Sequence, residues 1–413
     1  RLSDACIFFG IESSNKSSTF PARRPDAAVR PNLTGPPQQV LFADPTLGRS
    51  VSGAPGPCRV NKLGGVAAGL PRRNEEFRVT SLQPAKATRL SVAPMMDWTD
   101  SHCRLFHRQM TKHALLYTEM ITSAALIRGS AHHLLDHDPG EAPVAVQLGG
   151  ADPGELAEAT ALAAEAGYAE VNLNIGCPSD RVQSGCVGAV LMERPALVAE
   201  CVRAMKEASD AEGTVKCRIG VDDQDPRTVL PDFLSRMQGA GVRRVAVHAR
   251  KAWLKGLSPK QNRDVPPLDY PLVISMVERF PELELSINGG ITSLDQATEF
   301  LERGLAGVMI GRAAYHTPAE VLLEADRVIF GGVDLAPTRL QVAEAMRPHI
   351  RAHLASGGRL HSVTRHMLGL FHGLPGARNW RRALSEGGSR PGAGLEVLDE
   401  ALEQVACAMA DAA

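Results

Sequence analysis

The sequence predicts an α/β protein in which a (β/α)8 TIM barrel is followed by a small C-terminal helical bundle. Strand-like and helix-like segments alternate over about 225 residues, which fits this barrel in number and length. Polar side chains stand at the end of every predicted strand, and the region after residue 333 shows only helix-like patterns. We therefore expect a leader at 1–88, the barrel at 89–333 and the helical domain at 334–413.

The barrel prediction depends on eight segments with alternating or continuous apolar patterns. They occupy residues 89–95, 114–120, 142–150, 167–177, 214–220, 242–250, 283–290 and 306–312. Helix-like patterns follow seven of them and are clearest at 153–167, 193–209, 229–241 and 293–304. The alternative is a doubly wound open sheet. That fold would normally carry a glycine-rich fingerprint after its first strand, where this chain has APMMDWTD.

The composition is that of a globular protein, with 44% hydrophobic and 22% charged residues among 413. No apolar run reaches the ~20 residues that a membrane-spanning helix needs. The cysteines at 6, 58, 103, 177, 186, 201, 217 and 407 form no CxxC pair, which argues against zinc ribbons and cysteine-held iron–sulfur clusters. A disulfide framework is equally unsupported, so we expect a reducing compartment and no metal.

Residues 1–88 are rich in Ser, Pro, Gly and Arg, poor in acidic residues, and show no helical or strand period. This composition fits either an organelle transit segment or a disordered tail. Both interpretations stay open, so the protein could belong to the cytoplasm or to a plastid or mitochondrion.

The predicted helical domain is basic along its first half. Eight arginines between residues 339 and 382 are opposed only by Asp334, Glu344 and Glu386 up to residue 388, whereas the barrel carries more acids than bases. Clustered arginine favours phosphate recognition. A solvated helix face would explain the pattern equally well, so the charge alone does not decide between the two.

Strand ends are where a TIM barrel collects its catalytic groups. Here they carry Pro94, Met95, Met96, Glu119, Gln147, Asn174, Cys177, Lys216, Arg218, His248, Arg250, Asn288, Gly289, Gly290, Gly311 and Arg312. Each of these residues alone could be structural, but together they indicate one pocket at the C-terminal face. The glycines of SINGG and IGRA, with Arg312, follow the last two strands, the usual phosphate site of this fold.

A phosphate site beside Gln147, Lys216 and His248 suits a flavin mononucleotide (FMN) lying across the barrel mouth. If reduced flavin delivers hydride to one carbon of a double bond, the neighbouring carbon must receive a proton. Cys177 suits that role, since a thiol with a pKa of about 8.5 is mostly protonated near neutrality. Cys186 is the second candidate, and Cys217 should face away from the lumen if its neighbours face it.

Several motifs together resemble the tRNA-dihydrouridine synthase family, specifically its A-type subfamily, which acts on D-loop uridines 20 and 20a. They are APMMDWTD, NLNIGCPSDRVQSG, VKCRIG, HARKAWLKGLSPKQNRDVPPLDY, SINGG and GVMIGRAAY, with RHMLGLFHGLPGARNWRR in the helical domain. The resemblance covers about residues 89–390. Cys186 is a departure, because the family more often has another residue there.

The resemblance implies FMN as cofactor, NADPH as electron donor, hydride addition to uracil C6 and protonation of C5 by Cys177. It implies that FMN is held by Pro94, Met95, Met96, Gln147, Lys216, His248, Asn288, Gly289, Gly290, Gly311 and Arg312. It assigns the target base and the tRNA to Asn174, Arg250, Lys260, Arg263, Arg378 and Arg381.

Two alternatives remain at the sequence level. An FMN barrel acting on a free pyrimidine or enone would explain the barrel but give the basic helical domain no role. An RNA-binding barrel without chemistry would leave Cys177, Lys216 and His248 unexplained.

Overall fold

A computed structural model describes residues 86–179 and 187–412. Its strands form one closed barrel of parallel neighbours, with the last strand pairing the first. All eight predicted strands are confirmed: β1 (Leu90–Val92), β2 (Leu115–Thr122), β3 (Val144–Gly149), β4 (Glu170–Ile175), β5 (Glu212–Arg218), β6 (Arg244–His248), β7 (Glu284–Asn288) and β8 (Gly307–Ile310). The TIM-barrel prediction is therefore correct, and the doubly wound alternative is wrong.

Helices alternate with these strands around the outside. Those of the barrel are α1 (Ser101–Arg108), α2 (Ser123–Ile127), α3 (Pro153–Glu165), α4 (Pro195–Ala208), α5 (Pro226–Gly239), α6 (Tyr270–Arg279), α7 (Leu294–Glu302), α8 (Arg312–His316), α9 (Pro318–Leu322) and α10 (Ala325–Val328). Several starts follow directly from sequence. Asp152 and Asp225 accept N–H bonds from the first turns of α3 and α5, and each is followed by the proline that a first helical turn tolerates.

The chain ends in a second set of helices: α11 (Arg339–Ala345), α12 (Arg347–Ala355), α13 (Leu360–Thr364), α14 (Ala377–Arg382) and α15 (Leu395–Ala410). The continuous helix-like pattern over 338–358 is divided between α11 and α12, because Pro348 lacks a backbone N–H and occupies the first turn of α12. Trp380 is fully buried among these helices, stacks edge-on against Phe371, and donates its indole N–H to the Met367 carbonyl at 2.9 Å.

Alternation along each strand divides the barrel into two layers. In β4, Val171, Leu173 and Ile175 belong to the large apolar core that includes the surrounding helices. The intervening residues Glu170, Asn172 and Asn174 are polar. A separate small apolar cluster consists of Ala93, Leu115, Tyr117, Ala145, Ala246 and Met309. The barrel interior is therefore a packed mixture of small apolar and hydrogen-bonded polar groups, as expected for a barrel of this size.

The C-terminal helices contact the barrel at the loop after β1. Arg365 donates to the Asp97 carbonyl at 2.9 Å and pairs with the Asp100 carboxylate, which also contacts His366. Asp100 caps α1 by accepting the Cys103 N–H at 2.9 Å. Because Asp97 has a positive φ of 65°, a strained conformation for a non-glycine residue, this external contact stabilises an otherwise unfavourable turn.

Residues 1–85 and 180–186 lie outside the described residues, so the predicted leader and Cys186 are not addressed by the structure. The domain boundaries at 88 and 333 remain predictions. Over the described ranges, no helix combines the length and the apolar character that crossing a bilayer requires.

Candidate active site

Cys177 lies two residues beyond the end of β4 and is partly buried. The Asn174 Oδ1 accepts the backbone N–H groups of Gly176 and Cys177, which follow it in the chain, both at 3.0 Å. The Cys177 carbonyl accepts the Ala189 N–H at 2.9 Å. The thiol therefore extends from a backbone segment that is fixed on both sides.

Arg218, at the end of β5, connects this segment to the loop after β6. Its guanidinium donates to the carbonyls of Gly176 at 2.9 Å, Lys251 at 2.9 Å and Asn262 at 3.0 Å. Sequence reasoning placed Arg218 at a strand end without giving it a role. Its position beside the site could have been inferred from its two-residue spacing from Lys216, which puts both side chains on the luminal face of β5.

Lys216 pairs in register with Asn174 across β4 and β5. Burial, and then the nearby charge of Arg218, lower the pKa of the Lys216 ammonium to about 8. The Cys177 thiol is close enough to interact electrostatically with Lys216, Arg218 and Arg263. Three cationic groups therefore interact electrostatically with the position of the sulfur.

Cys217, between Lys216 and Arg218, is fully buried with the outer core residues Val215 and Ile219. Burial raises the pKa of its thiol to about 12. This agrees with the expectation that Cys217 faces away from the lumen, and it makes this thiol a poor proton donor at the mouth.

Gln147 is buried on β3 beside β4. Its Nε2 donates to Asn172 Oδ1 at 2.8 Å, and its Oε1 accepts from Asn174 Nδ2 at 2.7 Å. The predicted flavin-edge residue and the predicted base-contact residue are therefore joined directly. Asn172 was not among the predicted site residues, although alternation puts it on the same face of β4 as Asn174.

His248 ends β6, next to Asn288 in register on β7. Its ring is buried, and its Nε2 has no hydrogen-bond partner within the described chain. Burial, followed by the charges of Arg218 and Lys216, lowers the pKa of His248 well below its usual value, so the imidazole is neutral. Asn288 donates to the Met309 carbonyl at 2.7 Å and so ties β7 to β8.

The turn after β7 requires glycine at two positions. Gly289 and Gly290 have φ of 111° and 72°, where other residues are strained. A Cβ on Gly289 would lie 2.6 Å from the His248 ring, and one on Gly290 would lie 2.9 Å from Tyr270 Oη. Gly289 therefore lets the backbone turn pass directly against His248, and Gly290 lets it pass against Tyr270.

Arg312 begins α8 immediately after Gly311 and forms an ion pair with Asp264 at 2.7 Å. Asp264 lies in the loop after β6, where Arg250 donates to the Pro266 carbonyl and Arg263 is exposed. This ion pair was not foreseen from sequence, because the loop residue is far from Arg312 along the chain. It connects the predicted phosphate site to the loop that carries predicted tRNA contacts.

Pro94, Met95 and Met96, the residues of the loop after β1 that are predicted to contact FMN, lie in a tight turn. The Met95 N–H donates to Thr99 Oγ1 at 3.0 Å, while Pro94 is partly buried and the Met96 side chain is 53% exposed. Glu119 accepts the Asp97 N–H, and burial raises the pKa of its carboxyl. Among the described residues, Lys260, Arg378 and Arg381 are exposed on the β6 loop and α14 and form no ion pair with the groups at the barrel mouth.

The arrangement fits a bound flavin mononucleotide. His248 Nε2 is buried without a partner and could hydrogen-bond to such a cofactor. The turn at Gly289 and Gly290 has no room for a Cβ and allows close approach of the backbone, and Arg312 supplies a positive charge. In the part of the chain that the structure describes, no three His, Cys, Asp or Glu side chains are placed to hold a metal ion.

The model of the family described as dihydrouridine synthase (Dus) matches residues 91–406. The tRNA-dihydrouridine(20/20a) synthase of Vibrio vulnificus is 54% identical over 318 residues, covering 77% of this chain and 97% of that protein. The Escherichia coli K12 protein of the same name is 50% identical over 338 residues, covering 80% and 97%.

Similarity to solved structures is weaker. Morphinone reductase shares 13% identity over 62% of this chain and 90% of its own, with a TM-score of 0.43. The fold assignment therefore rests on the closed barrel itself. With a family model matched over most of the described residues and relatives at half identity, the chain belongs to the dihydrouridine synthase family.

Proposed function

We propose that this chain reduces the C5=C6 bond of D-loop uridines 20 and 20a in tRNA to give dihydrouridine. Relatives from Vibrio vulnificus and Escherichia coli that carry this activity in their names are 54% and 50% identical to it over nearly their whole length. The observation that carries the proposal is the Cys177 thiol at the barrel mouth, beside the ammonium of Lys216 on the neighbouring strand.

The cofactor in this proposal is FMN, which when bound and reduced would supply a hydride to C6 of uracil, with NADPH as the proposed electron donor. The proposed FMN contacts are Pro94, Met95, Met96, Gln147, Lys216, His248, Asn288, Gly289, Gly290, Gly311 and Arg312. His248 supports this assignment most directly, because its neutral ring has an unused buried nitrogen.

Cys177 donates the proton. When C6 receives hydride, the electron pair of the double bond moves to C5, and the S–H bond of Cys177 breaks as the C5–H bond forms. The resulting thiolate is stabilised by Lys216 and Arg218 until solvent returns a proton to it. The hydrogen bond from Arg218 to the Gly176 carbonyl holds the backbone next to Cys177 in place.

The tRNA contacts divide into two groups. Asn174 and Arg250 lie at the mouth and contact the target base, while Lys260, Arg263, Arg378 and Arg381 contact the phosphate backbone. A base must leave its stack to enter a barrel mouth, and an unpaired loop uridine is the least costly to extrude. The exposed cationic residues then supply affinity that weakens with salt.

The test is incubation of the full chain with FMN, NADPH and an unmodified tRNA transcript, followed by mass-spectrometric mapping of dihydrouridine. We expect modification at positions 20 and 20a and none in a transcript with cytidine at both positions. A parallel reaction with free uracil addresses the alternative substrate. Modification of free uracil in preference to tRNA, or a wild-type protein that neither binds FMN nor modifies tRNA, would contradict the proposal.

A further inference from the structure

Five polar side chains inside the barrel form one continuous series of hydrogen bonds, named here the lumen series: Glu170, Thr214, Asn172, Gln147 and Asn174. They are only 1–9% exposed. Their consecutive donor–acceptor distances are 2.7, 2.9, 2.8 and 2.7 Å. The series begins at Glu170, the first residue of β4, and ends beside Cys177. The end of the barrel at which the strands begin is named here the closed end, and the opposite end is the mouth.

Glu170 supplies the first acceptor of the series. Its carboxylate receives the hydroxyl of Tyr117 at 2.6 Å, the hydroxyl of Thr214 at 2.7 Å and the Arg244 guanidinium at 3.0 Å. All three partners donate, so the carboxylate acts only as an acceptor, as an ionised carboxylate does. The closed end of the barrel therefore carries an ion pair of Arg244 with Glu170, whose carboxylate oxygens accept hydrogen bonds.

The orientation of each following side chain is fixed from both ends of the series, by the Glu170 acceptor and by the backbone N–H groups at 176 and 177. Thr214 uses its single hydroxyl proton on Glu170, so its oxygen is left to accept from Asn172 Nδ2. The Asn172 Oδ1 is then on the opposite side and accepts from Gln147 Nε2. Gln147 Oε1 accepts from Asn174 Nδ2, which leaves Asn174 Oδ1 for the backbone N–H groups at 176 and 177.

The orientation fixes what the barrel mouth offers to a ligand. Asn174 retains one Nδ2–H, because the other is donated to Gln147 Oε1. Gln147 retains one Nε2–H and one lone pair. With the opposite amide orientations, carbonyl oxygens would take the place of these N–H groups and would repel the carbonyl oxygens of a flavin or a uracil.

We infer that Glu170 and Thr214, at the closed end of the barrel, are positioning residues for Gln147 and Cys177. They act through the lumen series, which orients the Gln147 amide toward the cofactor and holds the backbone of the proton donor. This inference rests on the proposed flavin chemistry and extends it to residues that touch neither cofactor nor substrate.

The test compares three variants of the full chain, two at Thr214 and one at Tyr117, which both donate to Glu170. Thr214→Val removes the hydroxyl at constant shape, Thr214→Ser retains it, and Tyr117→Phe removes a different hydroxyl from the same carboxylate. For each, the FMN dissociation constant and the midpoint potential of bound FMN are measured, together with turnover on tRNA. Circular dichroism establishes that each variant is folded.

Thr214→Val is expected to weaken FMN binding by about tenfold, the effect of leaving one buried polar group unpaired. The midpoint potential should become more negative, because the Gln147 N–H no longer supports the reduced cofactor, and kcat should fall more than KM for tRNA rises. Thr214→Ser should restore the wild-type values, and Tyr117→Phe should leave all of them unchanged. If Thr214→Val does not fold, Asn172→Leu interrupts the series one link closer to the mouth and must give the same loss.

Wild-type FMN affinity and potential in folded Thr214→Val would overturn this inference alone. Equal losses in Thr214→Val and Tyr117→Phe would also overturn it, since general damage to the closed end would then explain both. Failure of the wild-type chain to bind FMN would instead overturn the proposed function, and the inference with it.

Discussion

The barrel and the C-terminal helices bury opposite kinds of side chain. The barrel lumen holds Glu170, Arg244 and a series of amides, all hydrogen-bonded, whereas the helical region buries Trp380 and Phe371 in an apolar core. It exposes Arg351, Arg359, Arg378, Arg381 and Arg382. Strands fix their side chains through neighbours on both sides, which suits groups that must be aimed at a reacting atom. Packed helices need only apolar volume inside, and their outer faces are free for a large polyanionic substrate.

The difference predicts that the largest loss of turnover comes from the barrel mouth. Cys177→Ala should lower kcat by about 10²–10⁴-fold, the usual contribution of a positioned proton donor, while FMN binding is retained. Cys201→Ala, at a buried thiol of α4 outside the lumen, is the matched control and should remain active. Single-turnover assays with reduced enzyme measure the effect, and unaltered turnover in Cys177→Ala would exclude its role as the proton donor.

The largest loss of stability should come from the helical core. Trp380→Ala removes a fully buried indole and its hydrogen bond to Met367, and should lower the free energy of unfolding by about 3–5 kcal/mol. Trp253→Ala, at a partly exposed position in the β6 loop, is expected to cost much less. The free energies of unfolding of both variants are measured by urea denaturation. Equal losses would mean that the apolar helical core contributes no more than a surface loop does.

Removing exposed arginines should affect binding without affecting chemistry. The double variant Arg378→Ala/Arg381→Ala should weaken tRNA binding and reduce the salt slope of log Kd by about one unit per charge removed, with kcat unchanged. Arg236→Ala/Arg303→Ala, in barrel helix α5 and directly after α7, is the control for net charge. A salt slope equal to that of the wild type would place the tRNA on another surface.

The smallest expected effect is a loss of stability at acidic pH, caused by the contact between the two regions. His102 Nδ1 of α1 lies 2.8 Å from His349 Nε2 of α12, and the His102 ring lies edge-on to the ring of His353. Burial lowers the pKa of His102 to about 4. Because the unfolded ring binds its proton near pH 6.5 and the folded ring does not, stability should fall as pH drops from about 6.5 toward 4. Asp100 and His366 lie on the same contact and face these rings.

His102→Gln should flatten that pH dependence, and His132→Gln, at an exposed histidine, should leave it unchanged. The effect should stay below about 1.4 kcal/mol per pH unit, because water still screens part of the ring. Unfolding free energies measured at pH 7 and pH 5 give the slope. A wild-type protein equally stable at both values would contradict this interpretation of the histidine cluster.

Local patterns in the sequence were sufficient to locate the strands and the position of Cys177. A period of two and the breakers Gly176 and Pro178 are properties of neighbouring residues, so they can be recognised without the fold. The same alternation put Lys216 and Arg218 on one face and Cys217 on the other. The assignments of individual residues to FMN and tRNA remain predictions.

Contacts between distant segments could not be found in this way. The pairing of Arg312 with Asp264, the bracing of Gly176 by Arg218 and the link from Arg365 to Asp97 each join loops that only the closed barrel brings together. The division between α11 and α12 was missed for a different reason. There the apolar period continues through Pro348, and periodicity alone overrode the proline signal.

The contact of Arg365 with Asp97 and Asp100 has a practical consequence for anyone who cuts or recombines this chain. A truncation after the last barrel helix would leave the positive-φ turn at Asp97 without its guanidinium partner, on the loop that carries Pro94 to Met96. A chimera that exchanges C-terminal helices between relatives must keep this arginine and aspartate together. The two halves are therefore not interchangeable modules, and their buried apolar residues belong to one continuous core.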